Sequence, residues 1–184
     1  MYPVRTSLVS GNFFDVLGVK PLYGRTLQAA DDAPGAPAVL LLSHAYWKKT
    51  FGGDPTVVGK VFQMNDRPHQ VVGILPPVPQ YPLEVDVYMP TSACPFRSSK
   101  PALENRSFRI VGTAFGRLKP GVTIEKSVAD LSVVSSQLQQ DYPQEYPKER
   151  GYRATVSPLQ EEMTREFRRT LLVLLGTAGF VLLI

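Results

Sequence analysis

The 184-residue chain has one cysteine and two histidines, and these shortages remove whole classes of chemistry. A single thiol, Cys94, excludes an intrachain disulfide and a cysteine-rich metal site, although it does not identify the compartment. Histidine is the usual general base, and only His44 and His69 are present. His44 directly follows Ser43, so on a helix start their side chains point apart instead of pairing as nucleophile and base. His69 reads as an exposed or core-edge residue at the beginning of a strand. Neither G-x-x-x-x-G-K-S/T nor G-x-G-x-x-G occurs, which leaves no glycine-rich cradle for a nucleotide phosphate. Twenty Lys and Arg give a formal charge of +4 but are scattered, which argues against a nucleic-acid partner. The N-terminal MYPVRTSLVSGNFF lacks the basic leader and apolar core of a secretory signal.

What is present points to structure more than to catalysis. Asp31-Asp32 lies in QAADDAPGAP, where paired carboxylates can bind a cation. No further acid sits at metal-loop spacing, so a solvated turn or helix start is the expected role. Glu161-Glu162 has the same explanation. A hydrolase built on Ser43 or His44 with Asp31 or Asp32 requires the side chains it uses to converge in one pocket. Trp47, with Tyr46 and Phe51, fits a helix packing on a sheet better than an aromatic ligand platform. Asn105-Arg106-Ser107 is formally a glycosylation acceptor. No catalytic, cofactor-binding or metal residue is assigned.

Hydrophobic patterning and turn residues divide the chain into short strands and a few helices. Strands are expected at Val4–Val9, Ala38–Leu42, Lys60–Met64, His69–Leu75, Val85–Met89, Phe108–Phe115 and Tyr152–Val156. Ser10 reads as the cap of a helix closed by Gly18, and Ser43 as the cap of HAYWKKTF, which ends at Gly52-Gly53. Thr123 caps the longest amphipathic helix, whose face holds Ile124, Val128, Leu131, Val134 or Ser135, and Leu138. Strands and helices mix without strict alternation, so the fold class is α+β.

From Leu171 to Ile184 there is no charge, and Thr177 is the only polar side chain. As a helix the run covers about 21 Å of a hydrocarbon core about 30 Å thick. A core helix keeps a polar face, and LLVLLGTAGFVLLI keeps none. The expectation is a transmembrane helix cut short, entered through Glu161, Glu162, Arg165, Glu166, Arg168 and Arg169, with Glu161 paired to Arg165. Met163, Phe167 and Leu171 form its apolar stripe.

Four segments in order carry a resemblance. LVSGNFFDVLGVKPLYGRTLQAADD is followed by VLLLSHAYWKKTFGGDPTVVGKVFQMNDRPHQVVGILPP, then FRIVGTAFGRLKPGVTIEKSVADLSVVSSQLQQDYP, then PLQEEMTREFRRTLLVLLGTAGFVLLI. Together they resemble the periplasmic core domain of MacB-like ABC transporter permeases, nearest to the duplicated orphan permeases abundant in Acidobacteria. The resemblance implies a core domain over 1–160, with a porter-like α+β subdomain at 1–24 and 107–160 and an inserted, mostly-β subdomain at 25–106. Residues 161–184 would begin the second transmembrane helix.

By the same resemblance the domain lies outside the bacterial inner membrane and is not itself catalytic. It would couple helix motion, driven by a separate ABC ATPase subunit, to substrate efflux or movement of a partner protein. A homodimer, or a pseudo-dimer with a second permease half, is implied, with the membrane as a further partner and no nucleic acid or cofactor. Met163, Phe167 and Leu171 are the residues expected on the coupling helix. The family's first transmembrane helix and opening strand and helix are missing before SGNFF, so a sheet edge is expected to be exposed. Arg165, Arg168 and Arg169 would stand on the outer side, against the usual cytoplasmic bias of basic residues. The contrasting reading is a soluble α+β binding module that buries its C-terminal helix.

Overall fold

In the computed structural model, which describes residues 3–64, 66–81, 83–108 and 113–182, the apolar run Val39–Leu42 becomes strand β3 inside a mixed six-stranded sheet. The strand is buried along its whole length. Side chains of a strand alternate between faces. Val39 and Leu41 therefore enter one core with Val9, Phe14, Leu27, Val72 and Tyr88, while Leu40 and Leu42 enter a second with Trp47, Val57, Val71, Ile74 and Val87. Burial on both faces explains why this strand reads as continuous apolar sequence and not as alternation.

The remaining strands build outward from β3. On one side β3 pairs antiparallel with β6 (Val87–Pro90), and β6 pairs parallel with β1 (Thr6–Val9). On the other side it pairs parallel with β5 (Arg67–Ile74). β2 (Tyr23–Gly24) and β4 (Val61–Met64) share the far edge of β5, both antiparallel to it. Among the described residues β1 pairs only with β6, so its outer edge carries no described strand. The pairing of β1 with β6 places residues of the expected porter-like part and of the expected insertion in one sheet. The chain forms two compact units, Met1–Arg117 and Leu118–Ile184.

Two short helices cover the first unit's cores. Helix α1 (Phe13–Leu17) buries Phe14 and ends at Gly18 in the left-handed conformation. Ser10 does not supply its side-chain cap. Its hydroxyl lies 2.8 Å from Asn12 Oδ1, and its carbonyl accepts from Phe13 N. Helix α2 (His44–Phe51) is capped by Ser43, whose hydroxyl accepts from Tyr46 N, and closes at left-handed Gly52 as its sequence indicates. Trp47 is buried under it, with its indole N–H donating to Asp54 O at 2.8 Å. A short helix α3 (Lys100–Glu104) follows a 3-10 turn at Thr91–Ala93.

In the second unit, α4 (Ile124–Asp141) is capped by the Thr123 hydroxyl, which accepts from Lys126 N. Its inward face settles on Ser135 over Val134. Ser135 is buried and its hydroxyl accepts from Ala154 N at 3.0 Å, while Val128 and Val134 are exposed. Tyr152–Val156 is not a strand. It pairs with no described strand and is held to α4 instead, by that bond and by Gln139 Nε2 donating to Tyr152 O at 2.7 Å. Helix α5 (Leu159–Leu182) follows, with its ion pair between Arg165 and Glu162 at 2.6 Å, not between Arg165 and Glu161. Residues 109–112 of the strand expected at Phe108–Phe115 lie outside the described residues.

One close approach fixes β2 against β5. The register of β3 on β5 skips Val72, since Leu40 faces Val71 and Leu41 faces Gly73. A Cβ on Gly73 would overlap the carbonyl oxygen of Arg25 and come within 2.9 Å of that of Tyr23. Gly73→Ala is expected to lower unfolding stability by about 1–3 kcal/mol. Gly116→Ala, where an added methyl meets open space, is not expected to lower it, and urea denaturation of both variants makes the comparison.

Candidate functional site

A groove of about 510 Å³ runs along β1 and the start of α1. Its floor is aromatic. Phe13 sits edge-on to Phe14 at 5.1 Å and to Phe115 at 5.5 Å, Phe14 edge-on to Tyr88 at 5.2 Å, and Tyr81 edge-on to Phe115 at 6.1 Å. Such edge-to-face contacts hold rings in defined relative positions. Tyr88 reaches this side because Val87 and Met89, its neighbours on β6, point into the opposite core. Arg117 ties the far wall to the helix through a 2.8 Å bond from Nη2 to Val16 O. Around the floor stand Thr6, Ser10, Asn12, Thr91 and Arg97.

The rim is braced by a network joining residues sixty positions apart. Arg25 Nη1 and Nη2 donate to the two carboxylate oxygens of Asp31 at 2.6 and 2.8 Å. Asp31 also accepts from Gln28 N, completing a capping box on the 3-10 turn Ala29–Asp32. Hydrogen bonds from Arg25 hold the Asp31 carboxyl below its ordinary range, against the opposing effect of burial. Asp32 Oδ1 then accepts from Ser92 N at 2.8 Å, and the Ser92 hydroxyl donates to Asp31 O at 3.1 Å. Asp31 is thus a buried helix-start residue, not a solvated one, and both carboxylates are occupied by hydrogen bonds.

A second hollow of about 380 Å³ opens beside the start of α2, between the proline-rich segment 76–79 and the Arg5–Asp86 ion pair. Ser43 and His44 line it, but Asp31 and Asp32 do not. Ser43 is engaged as a helix cap and the His44 ring stacks edge-on against Trp47 at 5.6 Å. Neither Ser43 nor His44 therefore converges with Asp31 or Asp32 in this hollow. His69 is buried on β5, not exposed, with Nδ1 2.9 Å from Arg67 O. Among the described residues no three His, Cys, Asp or Glu side chains are placed to hold a metal ion.

On α5, Met163 is half-buried and Leu171 is 63% exposed, while the side chain of Phe167 lies outside the described residues. Leu171 through Leu175 are 58–71% exposed at five successive positions. At about 3.6 residues per turn these positions point in every direction around the helix. Among the described residues no helix is long and apolar enough to cross a membrane.

The groove aromatics Tyr81, Tyr88 and Phe115, and Arg97 at the rim, were not legible as a site. They come from four separated segments, and the one local sign was the alternation of Tyr88 against Val87 and Met89. Tyr88 also offers a direct probe of the floor. Its hydroxyl donates to Gln80 Oε1 at 3.0 Å, and burial pushes the phenol up to about 12 from 10.0. A raised folded-state value means that Tyr88 contributes stability below about pH 10 and loses it as pH climbs toward 12. Spectrophotometric titration of the eight tyrosines is expected to show a late-ionising phenol that Tyr88→Phe removes, with a shallower loss of stability above pH 10.

The profile of the MacB-like periplasmic core domain family matches residues 2–134. The periplasmic region of MacB from Actinobacillus actinomycetemcomitans superposes with a TM-score of 0.52 at 21% identity, covering 76% of this chain and 59% of that one. A domain of a putative permease protein from Porphyromonas gingivalis superposes with a TM-score of 0.53 at 22% identity, covering 88% of this chain and 72% of that one. At these identities the two structures establish a shared fold, and the chain spans about three-fifths of the MacB region. No curated protein sequence matches the chain. Matched over well beyond half its length, this α+β chain belongs to the MacB-like periplasmic core domain family.

Proposed function

We propose that the chain is the extracytoplasmic domain of an ABC-type export permease and that its task is mechanical, not catalytic. The observation that carries this reading is the family match over 2–134. Two features of the chain support it. Side chains suited to acid–base or nucleophilic work are engaged in caps, ion pairs and core packing, as Ser43, Asp31 and His69 illustrate. Helix α5 also carries apolar side chains exposed on all sides, beginning immediately after a charged segment.

A protein surface covers one side of a helix, whereas Leu171–Leu175 are open in every direction. Hydrocarbon is the surrounding that satisfies such a segment, because the helix backbone is already hydrogen-bonded internally. In this reading α5 is the beginning of the second transmembrane helix, with residues 1–160 outside the bacterial inner membrane. Its 24 residues give a rod about 36 Å long. A separate ABC ATPase subunit would move the membrane end, and Met163 and Phe167 would pass that motion to the external domain. The domain would work against a second copy or a second permease half, driving substrate efflux or the movement of a partner.

Cells producing the protein from its native gene provide the test. Ser98 is exposed, so a Ser98→Cys variant in a Cys94→Ala background presents one reactive thiol. A membrane-impermeant maleimide is expected to label it in spheroplasts without lysis, with the labelled protein remaining in the membrane pellet after alkaline carbonate. Labelling only after lysis, or release into the carbonate supernatant, would overturn the reading.

A further inference from the structure

Arg97 is a half-buried cation lining the aromatic groove, and among the described residues it has no hydrogen-bond or ion-pair partner. A guanidinium carries five N–H donors in a planar fork, and taking it partly out of water without an acceptor is unfavourable. The nearby acids do not supply one. Asp31 is held by Arg25, Asp32 by Ser92 N and Asp86 by Arg5, while Glu84 lines the other hollow. No Asp or Glu is among the described residues that line the groove. The site therefore joins an apolar, aromatic floor to one uncompensated positive charge.

The loop that presents Arg97 is well braced. Thr91–Ala93 is pinned through Ser92 to Asp31 and Asp32, and the turn beyond it is closed by Ser98 N donating to Cys94 O at 3.0 Å and Ser99 N to Phe96 O at 3.1 Å. A charge on such a loop is positioned before any ligand arrives, which lowers the ordering cost of binding. The groove volume of about 510 Å³ lies within the range that holds a drug-sized molecule.

We propose that this groove binds an apolar carboxylate, with its hydrocarbon or aryl body on Phe13, Tyr81 and Phe115 and its carboxylate on the Arg97 guanidinium. The fork of Arg matches the two oxygens of a carboxylate, and a partly desolvated pair of this kind is stronger than one in open water. The Thr91 hydroxyl, which also lines the groove, is a further donor for the same group. The inference concerns the groove alone and goes beyond the transport reading, since it would hold for a binding domain of any destination.

Isothermal titration calorimetry of the full chain with 5-phenylpentanoate and its neutral analogue 5-phenylpentanamide tests it. The acid is expected to bind with one-to-one stoichiometry and about tenfold or more tighter than the amide. Arg97→Gln is expected to remove that advantage without lowering thermal stability, because Arg97 makes no described polar contact. Arg97→Lys is expected to restore part of it, and Phe115→Ser to weaken both ligands. Equal affinity for acid and amide, absence of saturable binding, or acid affinity unmoved by Arg97→Gln would each overturn the proposal.

Discussion

Burial of β3 on both faces is the constraint on which the first unit depends. Val39–Leu42 alternates between two cores, so a four-residue strand joins the layer under α1 to the layer under α2. Each fully buried aliphatic side chain of this kind contributes about 1.5–3 kcal/mol of transfer free energy. Neighbouring strands inherit their positions from it. β5 lies parallel on one side, β6 antiparallel on the other, and the skipped Val72 on β5 turns Gly73 to meet β2. The groove follows in turn, because β6 brings Tyr88 to its floor and carries β1 along its wall.

Polar interactions then determine where the loops end up. The Arg25–Asp31 pair and the Asp32–Ser92 bond connect a turn near residue 30 with one near residue 92, and the second turn leads to Arg97. A half-exposed ion pair alone stabilises little. Here it is coupled to a capping box and two long-range hydrogen bonds, so its principal effect is to specify geometry. In the second unit the buried Ser135 hydroxyl has the comparable task, fixing an extended segment by its backbone at Ala154. Ser43, Asp31 and His69, side chains with reactive potential, are employed in holding that placement.

Much of this was legible from local chemistry. Ser43, Gly18, Gly52 and Thr123 were readable as helix punctuation because a cap is formed by residues within one turn of each other. The apolar run at 39–42 and the strands around Asp66 were readable for the same reason. What could not be read depended on distant partners. Ser10 resembled a cap, but Asn12 stands between its hydroxyl and the helix. Tyr152–Val156 has strand composition, yet its backbone bonds go to side chains of α4. His69 looked peripheral from its place after a turn, and pairing of β4 with β5 buries it. The four-residue spacing selected Glu161 for Arg165, whereas the helix pairs Arg165 with Glu162, three residues away. The groove was least accessible of all, since its aromatic floor gathers residues from near 13, 81, 88 and 115.

The strongest check on this hierarchy is native-state hydrogen exchange of the first unit. If β3 is the element on which the others depend, its amides open only when the unit unfolds globally. The Leu41 and Leu42 amides are therefore predicted to exchange with a free energy equal to that of urea unfolding, together with the paired amides of β5. Exchange of Leu41 and Leu42 at a clearly lower free energy, while α1 and α2 remain protected, would contradict the account.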